Sequence, residues 1–228
     1  MCPVYIVVLH IFSFTTWPGI PQIFSKQNYT EIMVHTSSTD HIAAIYRFCA
    51  QSMQYPDPSW LTNDYFSSLY GLLDALGGDN EKENLKSTLS SAKDYLEDLQ
   101  VEHTRLFING MPHVTAPPYG SVYLEKSLQG KYAENVLIYY RSLGYTLSEK
   151  SDLPDNLIHQ LEFLSFLAED KNQQAEEEFL VRFFLPWYTT FSKLVKEESQ
   201  HPFYHVIISI IDFFTKEEKE YGVQLNEA

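Results

Sequence analysis

The sequence predicts an all-α protein, folded as a single globular bundle of about eight to ten helices. Three observations support this fold class. Apolar residues recur at helical spacing from about Ser38 onward, no sustained run alternates with the period of two typical of a strand, and proline or glycine separates the helical stretches. Hydrophobic residues make up 44% of the 228 residues and aromatic residues 15%, which is enough for one sizeable core.

Breaks in this pattern set the ends of the predicted helices. Gly77 and Gly78 end the second helix, and Asn109 to Pro112 end a long stretch of polar residues with periodic leucines. Pro186 lies inside an aromatic helix, where its missing N–H group predicts a kink or a break. The last helix is apolar nearly all round, which predicts that it is buried. We expect helices over about 40–54, 58–76, 81–108, 120–128, 132–143, 154–169, 175–194 and 203–214.

The charge balance excludes some partners. The chain has 16 Lys and Arg against 30 Asp and Glu, a formal net charge of -14. This charge repels nucleic acid and anionic lipid and attracts a basic partner. Cys2 and Cys49 provide neither metal-ligand spacing nor a disulfide framework, so we expect a reducing cytoplasm.

The N-terminal segment is apolar from Val4 to Phe14, but no basic residue precedes it as in a signal peptide. Three interpretations stay open: the start is mis-assigned upstream and Met33 is the native one, the segment is a packed N-terminal strand or helix, or it is an export or anchor segment. We therefore divide the chain into an N-terminal extension (1–35), a helical domain (36–222) and a polar tail (223–228).

Motifs for catalysis are missing from the sequence. Gly77 and Gly78 lack the lysine and serine of a phosphate-binding loop, and the Glu–His spacings do not match a carboxylate-bridged di-metal bundle. We therefore predict no enzymatic activity, cofactor or metal.

A polar face marks the helix that follows Pro154. Asp155, His159 and Glu162 repeat at i, i+4 and i+7 and so share one side of it. Two interpretations stay open, namely a solvated polar face and a site for a cationic peptide. The buried side is assigned to Leu157, Leu161 and Leu164.

Residues 116–123, with the sequence A-P-P-Y-G-S-V-Y, interrupt the helices at the middle of the chain. Pro117 and Pro118 stiffen the turn before folding, and Tyr119 and Tyr123 can anchor it on helices. The turn forms one wall of a groove opposite the Asp155 helix, or it packs to join two half-bundles.

These segments together resemble a known family. Val101–Phe107 and Pro117–Tyr123 resemble the E-Y-x-x-L-F and P-P-Y-E-S-V-Y signatures of the TorD/DmsD-type molybdoenzyme chaperones. Pro154–Leu164 is similar to the family's P-D-H-x-x-x-E-L-E-F-(L/M) helix. Phe179–Phe191 is similar to its F-x-x-x-H-L-x-x-W-x-x-x-F stretch, and Phe203–Tyr204 to its F-Y pair. Order and spacing agree over about residues 38 to 215.

The resemblance implies a non-catalytic, cytoplasmic protein, either a monomer or a homodimer. Such a chaperone binds the twin-arginine signal peptide and the apo form of a molybdopterin oxidoreductase subunit, assists cofactor insertion and prevents premature export. The alternatives are a helical interaction scaffold with an unrelated client and a nucleotide- or metal-binding helical protein. An acidic, aromatic-rich chain suits a leader with two arginines followed by apolar residues.

The resemblance also assigns residues. Client binding falls on Tyr119, Ser121, Tyr123, Asp155, Asn156, His159, Gln160, Glu162, Phe163 and Trp187. Structural roles fall on Glu102, Arg105, Phe107, Pro117, Pro118, Phe203 and Tyr204, with Glu102 and Arg105 placed to form an ion pair at i and i+3.

Four positions depart from the family pattern. Asn156 and Phe183 stand where the family has histidine, and Gln160 and Gly120 stand where it has an acidic residue. These departures put a charge-based role at the affected positions in doubt and indicate a divergent member.

Overall fold

The computed structural model describes residues 24–26, 38–110, 113–149 and 151–216, with side chains from His41 onward. The apolar segment 4–14, Met33 and the polar tail 223–228 lie outside the described residues. Their interpretations stay predictions, as do the domain boundaries.

The described chain is helical, as predicted. Its ten α-helical segments are α1 (Ser38–Ser52), α2 (Asn63–Leu76), α3 (Asp79–Ser91), α4 (Tyr95–His103), α5 (Gly120–Glu125), α6 (Lys131–Ser142), α7 (Leu157–Glu169), α8 (Gln173–Phe179), α9 (Leu185–Glu198) and α10 (Pro202–Lys216). A π-helical turn, Thr104–Ile108, continues α4, and a second, Leu180–Phe184, joins α8 to α9. Two short strands, β1 (Phe24–Lys26) and β2 (Tyr145–Leu147), pair antiparallel. The predicted all-α bundle is therefore confirmed.

The core forms around α7 and α10. Helix α7 packs closely along α1, and α10 packs against α9, α1 and α3. Leu157, Leu161 and Leu164 are fully buried, as predicted for that side of α7. The prediction of a buried final helix is also confirmed, because α10 buries residues around most of its circumference. No helix in the described ranges is both long and apolar enough to span a bilayer.

The predicted long helix over 81–108 is wrong, because it divides into α3 and α4. Asp94 accepts hydrogen bonds from the backbone N–H groups of Leu96 (3.1 Å) and Glu97 (3.2 Å). This side chain satisfies N–H groups that have no partner at a helix start, so it begins a new helix. Helix α7 likewise begins after Asn156, which caps it, and not at Pro154.

Of the two alternatives predicted at Pro186, a kink or a break, the break is wrong. The helix continues from α8 into α9 through the π-helical turn, whose last bond runs from the Leu185 N–H to the Leu180 carbonyl. A π-helical turn widens the helix, and Pro186 follows it as the second residue of α9. The Tyr132 hydroxyl donates a hydrogen bond to the Phe183 carbonyl in this turn. The chain thus accommodates the proline directly after a local widening of the helix.

Candidate functional site

The proline turn docks directly on the start of α7. The Leu157 N–H donates to the Pro118 carbonyl (2.9 Å), and the Gly120 N–H donates to the Asp155 carbonyl (3.1 Å). The Ser121 N–H donates to Asp155 Oδ2 at 2.7 Å. These bonds hold the two segments together as one unit.

The predicted groove between the turn and α7 is therefore closed. Asp155, Ser121, Gln160 and Trp187 are each 0% exposed, so the side chains expected to line a groove fill it. The solvated polar face predicted as one alternative is also wrong. Asp155, His159 and Glu162 are buried, because α1, α6 and the proline turn cover this end of α7.

The exposed edge of this unit is polar. Asp152 Oδ2 accepts hydrogen bonds from the Tyr119 hydroxyl (2.6 Å) and from Asn156 Nδ2 (3.1 Å). Asn156 Oδ1 accepts from the Ile158 N–H at 2.8 Å, which caps α7. Asp152 is exposed and Tyr119 half-buried, so a partner in solution can reach both. Asn156 replaces the family histidine with a capping residue, a role that needs no titratable group.

A buried hydrogen-bond chain lies behind this edge. Trp187 Nε1 donates to Gln160 Oε1 at 3.1 Å, and Gln160 Nε2 donates to the Tyr132 hydroxyl at 3.3 Å. The Tyr132 hydroxyl then donates to the Phe183 carbonyl. An ionised glutamate in place of Gln160 would accept from Trp187 but has no proton to donate to Tyr132. The amide at Gln160 therefore fits this chain better than the family glutamate does.

Gly120 packs against the same chain. A Cβ atom at Gly120 would lie 2.9 Å from Trp187 Cδ1 and closer still to Tyr132 Cε1, and side chains tolerate neither approach. The acidic residue of the family signature has no room here. The departures at Gly120 and Gln160 thus belong to one local arrangement.

Aromatic contacts connect the signature segments. Tyr123 stacks on Trp187 with ring centroids 5.7 Å apart, and Phe107 lies 6.0 Å from Phe191 and 5.3 Å from Tyr204. Segments that are distant in sequence therefore meet in one aromatic core. The remaining residues with predicted structural roles belong to it or to the turn: Pro117 and Pro118 are half-buried in the turn, and Phe203 is fully buried next to Tyr204.

The predicted Glu102–Arg105 pair is confirmed. Arg105 donates to both carboxylate oxygens of Glu102, at 2.7 and 2.9 Å. Glu102 Oε1 also accepts from the N–H groups of Gln200 (2.5 Å) and His201 (3.2 Å) in the α9–α10 connection. Burial by itself raises the pKa of Glu102, but the Arg105 and backbone hydrogen bonds lower it below its usual value. Glu102 thus fixes α4 to the start of α10.

Two predicted site residues, Glu162 and Phe163, lie away from the proline turn. Phe163 packs against Tyr140 and Phe179, with ring centroids 4.3 and 4.8 Å away. Glu162 is 4% exposed, and no described group donates a hydrogen bond to either of its oxygens. Burial raises the pKa of Glu162 to about 8, although the positive charge of Arg47 opposes the shift. These two residues do not join the cluster around the proline turn.

Sequence reasoning missed Tyr132 and Asp152. Neither lies in a signature segment, and nothing local to α6 indicates that Tyr132 meets Gln160. Asp152 lies two residues before the Pro154 motif and places a carboxylate at the exposed edge of the site. Among the described residues, no group of three or more His, Cys, Asp or Glu side chains is arranged to hold a metal ion. The site offers hydrogen bonds and charge for binding.

A shallow cavity of about 650 Å³ lies elsewhere, between α3 and the start of α10. None of the predicted site residues lines it. Its lining consists of Asn80, Glu81, Asn84, Thr88, Ser199, Gln200, Pro202, His205 and Val206.

The fold is similar to the crystal structure of a proposed redox enzyme maturation protein from Archaeoglobus fulgidus. The two share 26% sequence identity with a TM-score of 0.54, over 82% of this chain and 100% of that one. Fold and signature segments together define a chaperone of redox enzyme maturation. The nitrate reductase delta subunit family matches residues 73–193, more than half of the chain, and the chain belongs to that family. The resemblance to TorD/DmsD-type chaperones is thereby confirmed.

Proposed function

We propose that this chain binds the twin-arginine signal peptide and the apo form of a molybdopterin oxidoreductase subunit in the cytoplasm. By holding the subunit it assists cofactor insertion and delays export, and it performs no catalysis itself. The chaperone domain in this proposal covers residues 36–222.

One observation carries the proposal, namely that the family's signature segments meet at one place. The proline turn, the start of α7 and Trp187 are joined by the hydrogen bonds described above. Asp155 holds these segments together, because its Oδ2 atom and its carbonyl accept hydrogen bonds from the Ser121 and Gly120 N–H groups, at 2.7 and 3.1 Å.

The ten predicted client-binding residues divide into two groups in this proposal. Tyr119 is half-buried and contacts the leader directly, together with the exposed Asp152, whose carboxylate suits the guanidinium groups of the leader. Tyr123 in α5 is also half-buried, and its ring stacks on Trp187. The other group does not contact the leader: Ser121, Asp155, Asn156, His159, Gln160 and Trp187 position these side chains from behind, and Glu162 and Phe163, which lie outside that cluster, support α7 itself.

The test is fluorescence anisotropy with a labelled peptide that has two arginines followed by an apolar stretch. We expect the affinity to fall as salt rises from about 50 to about 300 mM, because salt screens the attraction between exposed charges. Asp152→Asn is expected to weaken binding about 2- to 5-fold, the range for an exposed ion pair. Glu83→Gln on α3 removes a comparable exposed carboxylate and serves as the matched control.

A peptide in which alanine replaces both arginines is expected to bind weakly. The proposal is wrong if the arginine peptide does not bind the wild-type chain even at low salt.

A further inference from the structure

The strand pair β1–β2 is connected to the proposed site through the chain, since β2 ends five residues before Asp152. Leu147 pairs with Phe24, Thr146 with Ser25 and Tyr145 with Lys26. Because β2 directly precedes the loop that carries Asp152, its pairing edge leads into the exposed part of the site. This edge is occupied by a three-residue strand from the chain's own N-terminal region.

Helix α7 holds β2 firmly in position. Tyr145 is 3% exposed, and its ring lies 5.3 Å from that of Phe163 and 5.7 Å from that of Phe166. Its hydroxyl donates to Asp170 at the end of α7. The strand is thus a fixed surface on which an extended segment can form backbone hydrogen bonds.

We propose that β2 is the docking edge for the apolar part of the client leader, which adds there as an antiparallel strand in the place of β1. This inference rests on the proposed function. Strand addition takes its affinity from main-chain hydrogen bonds, so it tolerates differences in sequence among leaders. Side-chain pockets are then needed only for every second residue.

The direction of the pairing matches the order of residues in such a leader, in which the arginines precede the apolar residues. In the observed register the N-terminal end of β1 pairs with Leu147, the end of β2 that leads into the turn in which the Ser151 N–H donates to the Ser148 carbonyl. Glu149 in this turn and Asp152 just after it are exposed carboxylates. A peptide running in the direction of β1 places its N-terminal arginines beside them. The apolar residues that follow then lie opposite Leu147 and Tyr145.

In this arrangement β1 competes with the leader for the same edge. The apparent affinity of a binding edge falls in proportion to the fraction of molecules in which it is free. A three-residue strand provides only a few ladder bonds, so a longer peptide strand can displace it. Weakening β1 should therefore tighten leader binding.

Proline in β1 tests this in the full-length chain. In an antiparallel pair only every second residue of a strand donates its N–H to the neighbouring strand. Of the two variants Phe24→Pro and Ser25→Pro, one therefore removes a ladder bond whichever residue donates. We expect one or both to tighten binding of the labelled arginine-then-apolar peptide about 3- to 10-fold. Phe24→Leu and Ser25→Ala keep the backbone N–H and are expected to bind like wild type. Thermal unfolding followed by circular dichroism checks that all four variants fold.

A peptide with the same residues in reverse order tests the direction, and we expect it to bind about tenfold more weakly. Equal affinity of wild type and both proline variants for the forward peptide, or equal affinity for the two peptides, overturns the inference while the proposed function stands. If no variant binds either peptide, the proposed function fails and the inference with it.

Discussion

At the scale of single residues, the departures from the family pattern are mutually consistent. Gly120 leaves space for the Tyr132 and Trp187 rings, and Gln160 donates to the first and accepts from the second. Restoring one family residue alone would therefore disturb the others. Three of the four departures thus have local reasons, which are packing at Gly120, hydrogen bonding at Gln160 and helix capping at Asn156.

Gly120→Ala is expected to lower the free energy of unfolding by about 1–3 kcal/mol, because the added Cβ overpacks the Tyr132 and Trp187 rings. Urea denaturation of wild type and variant measures the change. Gly77→Ala is the matched control: its Cβ would meet nothing within 4 Å, so it adds left-handed backbone strain of about 1–2 kcal/mol but no overpacking. A Gly120→Ala variant as stable as wild type would show that the rings can move aside.

At the scale of elements, the signature glutamate connects helices that are distant in sequence. Glu102 on α4 receives two bonds from Arg105 and two from the backbone between α9 and α10. Arg105 in turn donates to the Glu198 carbonyl at 2.6 Å, which satisfies the C-terminal end of α9. The pair therefore fixes the position at which α10 enters the core.

Glu102→Gln is expected to cost about 1–3 kcal/mol of unfolding free energy, because an amide cannot accept all these bonds and leaves Arg105 without its carboxylate. Glu178→Gln is the control, since the Glu178–Arg182 pair is exposed and should contribute less than about 1 kcal/mol. Chemical denaturation of both variants compares the two pairs. Equal losses would contradict the assigned role of Glu102.

At the scale of the whole molecule, buried titratable groups give stability a maximum near neutral pH. Burial raises the pKa of Glu162 from 4.5 to about 8, so the folded state holds its proton over a range in which the unfolded state has lost it. Stability from this group therefore falls as pH rises from about 4.5 to about 8. Burial lowers the pKa of His103 to about 4 and also lowers that of His159 and His201. The stability that these three histidines contribute is lost as pH falls below 6.5, the ordinary pKa of histidine.

Glu162→Gln is expected to remove the alkaline decline. A pKa difference of one unit corresponds to about 1.4 kcal/mol. The free energy of unfolding of the variant should therefore rise relative to wild type by up to about 1.4 kcal/mol for each pH unit between about 5 and about 8. Urea denaturation at acidic, near-neutral and mildly alkaline pH within this range measures the difference. Parallel stability curves for the two proteins would contradict a protonated Glu162 in the folded state.

The sequence by itself determined what depends on neighbours along the chain. The end of α2 at Gly77 follows from the left-handed backbone that glycine permits, with φ of 74°. The buried side of α7 and the Glu102–Arg105 pair follow from helical spacing, which brings residues three and four apart together. The signature segments also identified the family before any contact between them was known.

Only the tertiary structure decided how those segments meet. The bond of Tyr132 to Gln160 joins residues 28 apart, and β1 pairs with a strand more than a hundred residues away, so no local pattern predicts either contact. The same holds for burial: Asp155, His159 and Glu162 form a polar face on one helix, yet packing from other elements covers them. Periodicity gives the direction of a side chain on its own helix, whereas its exposure depends on what the rest of the chain places against it.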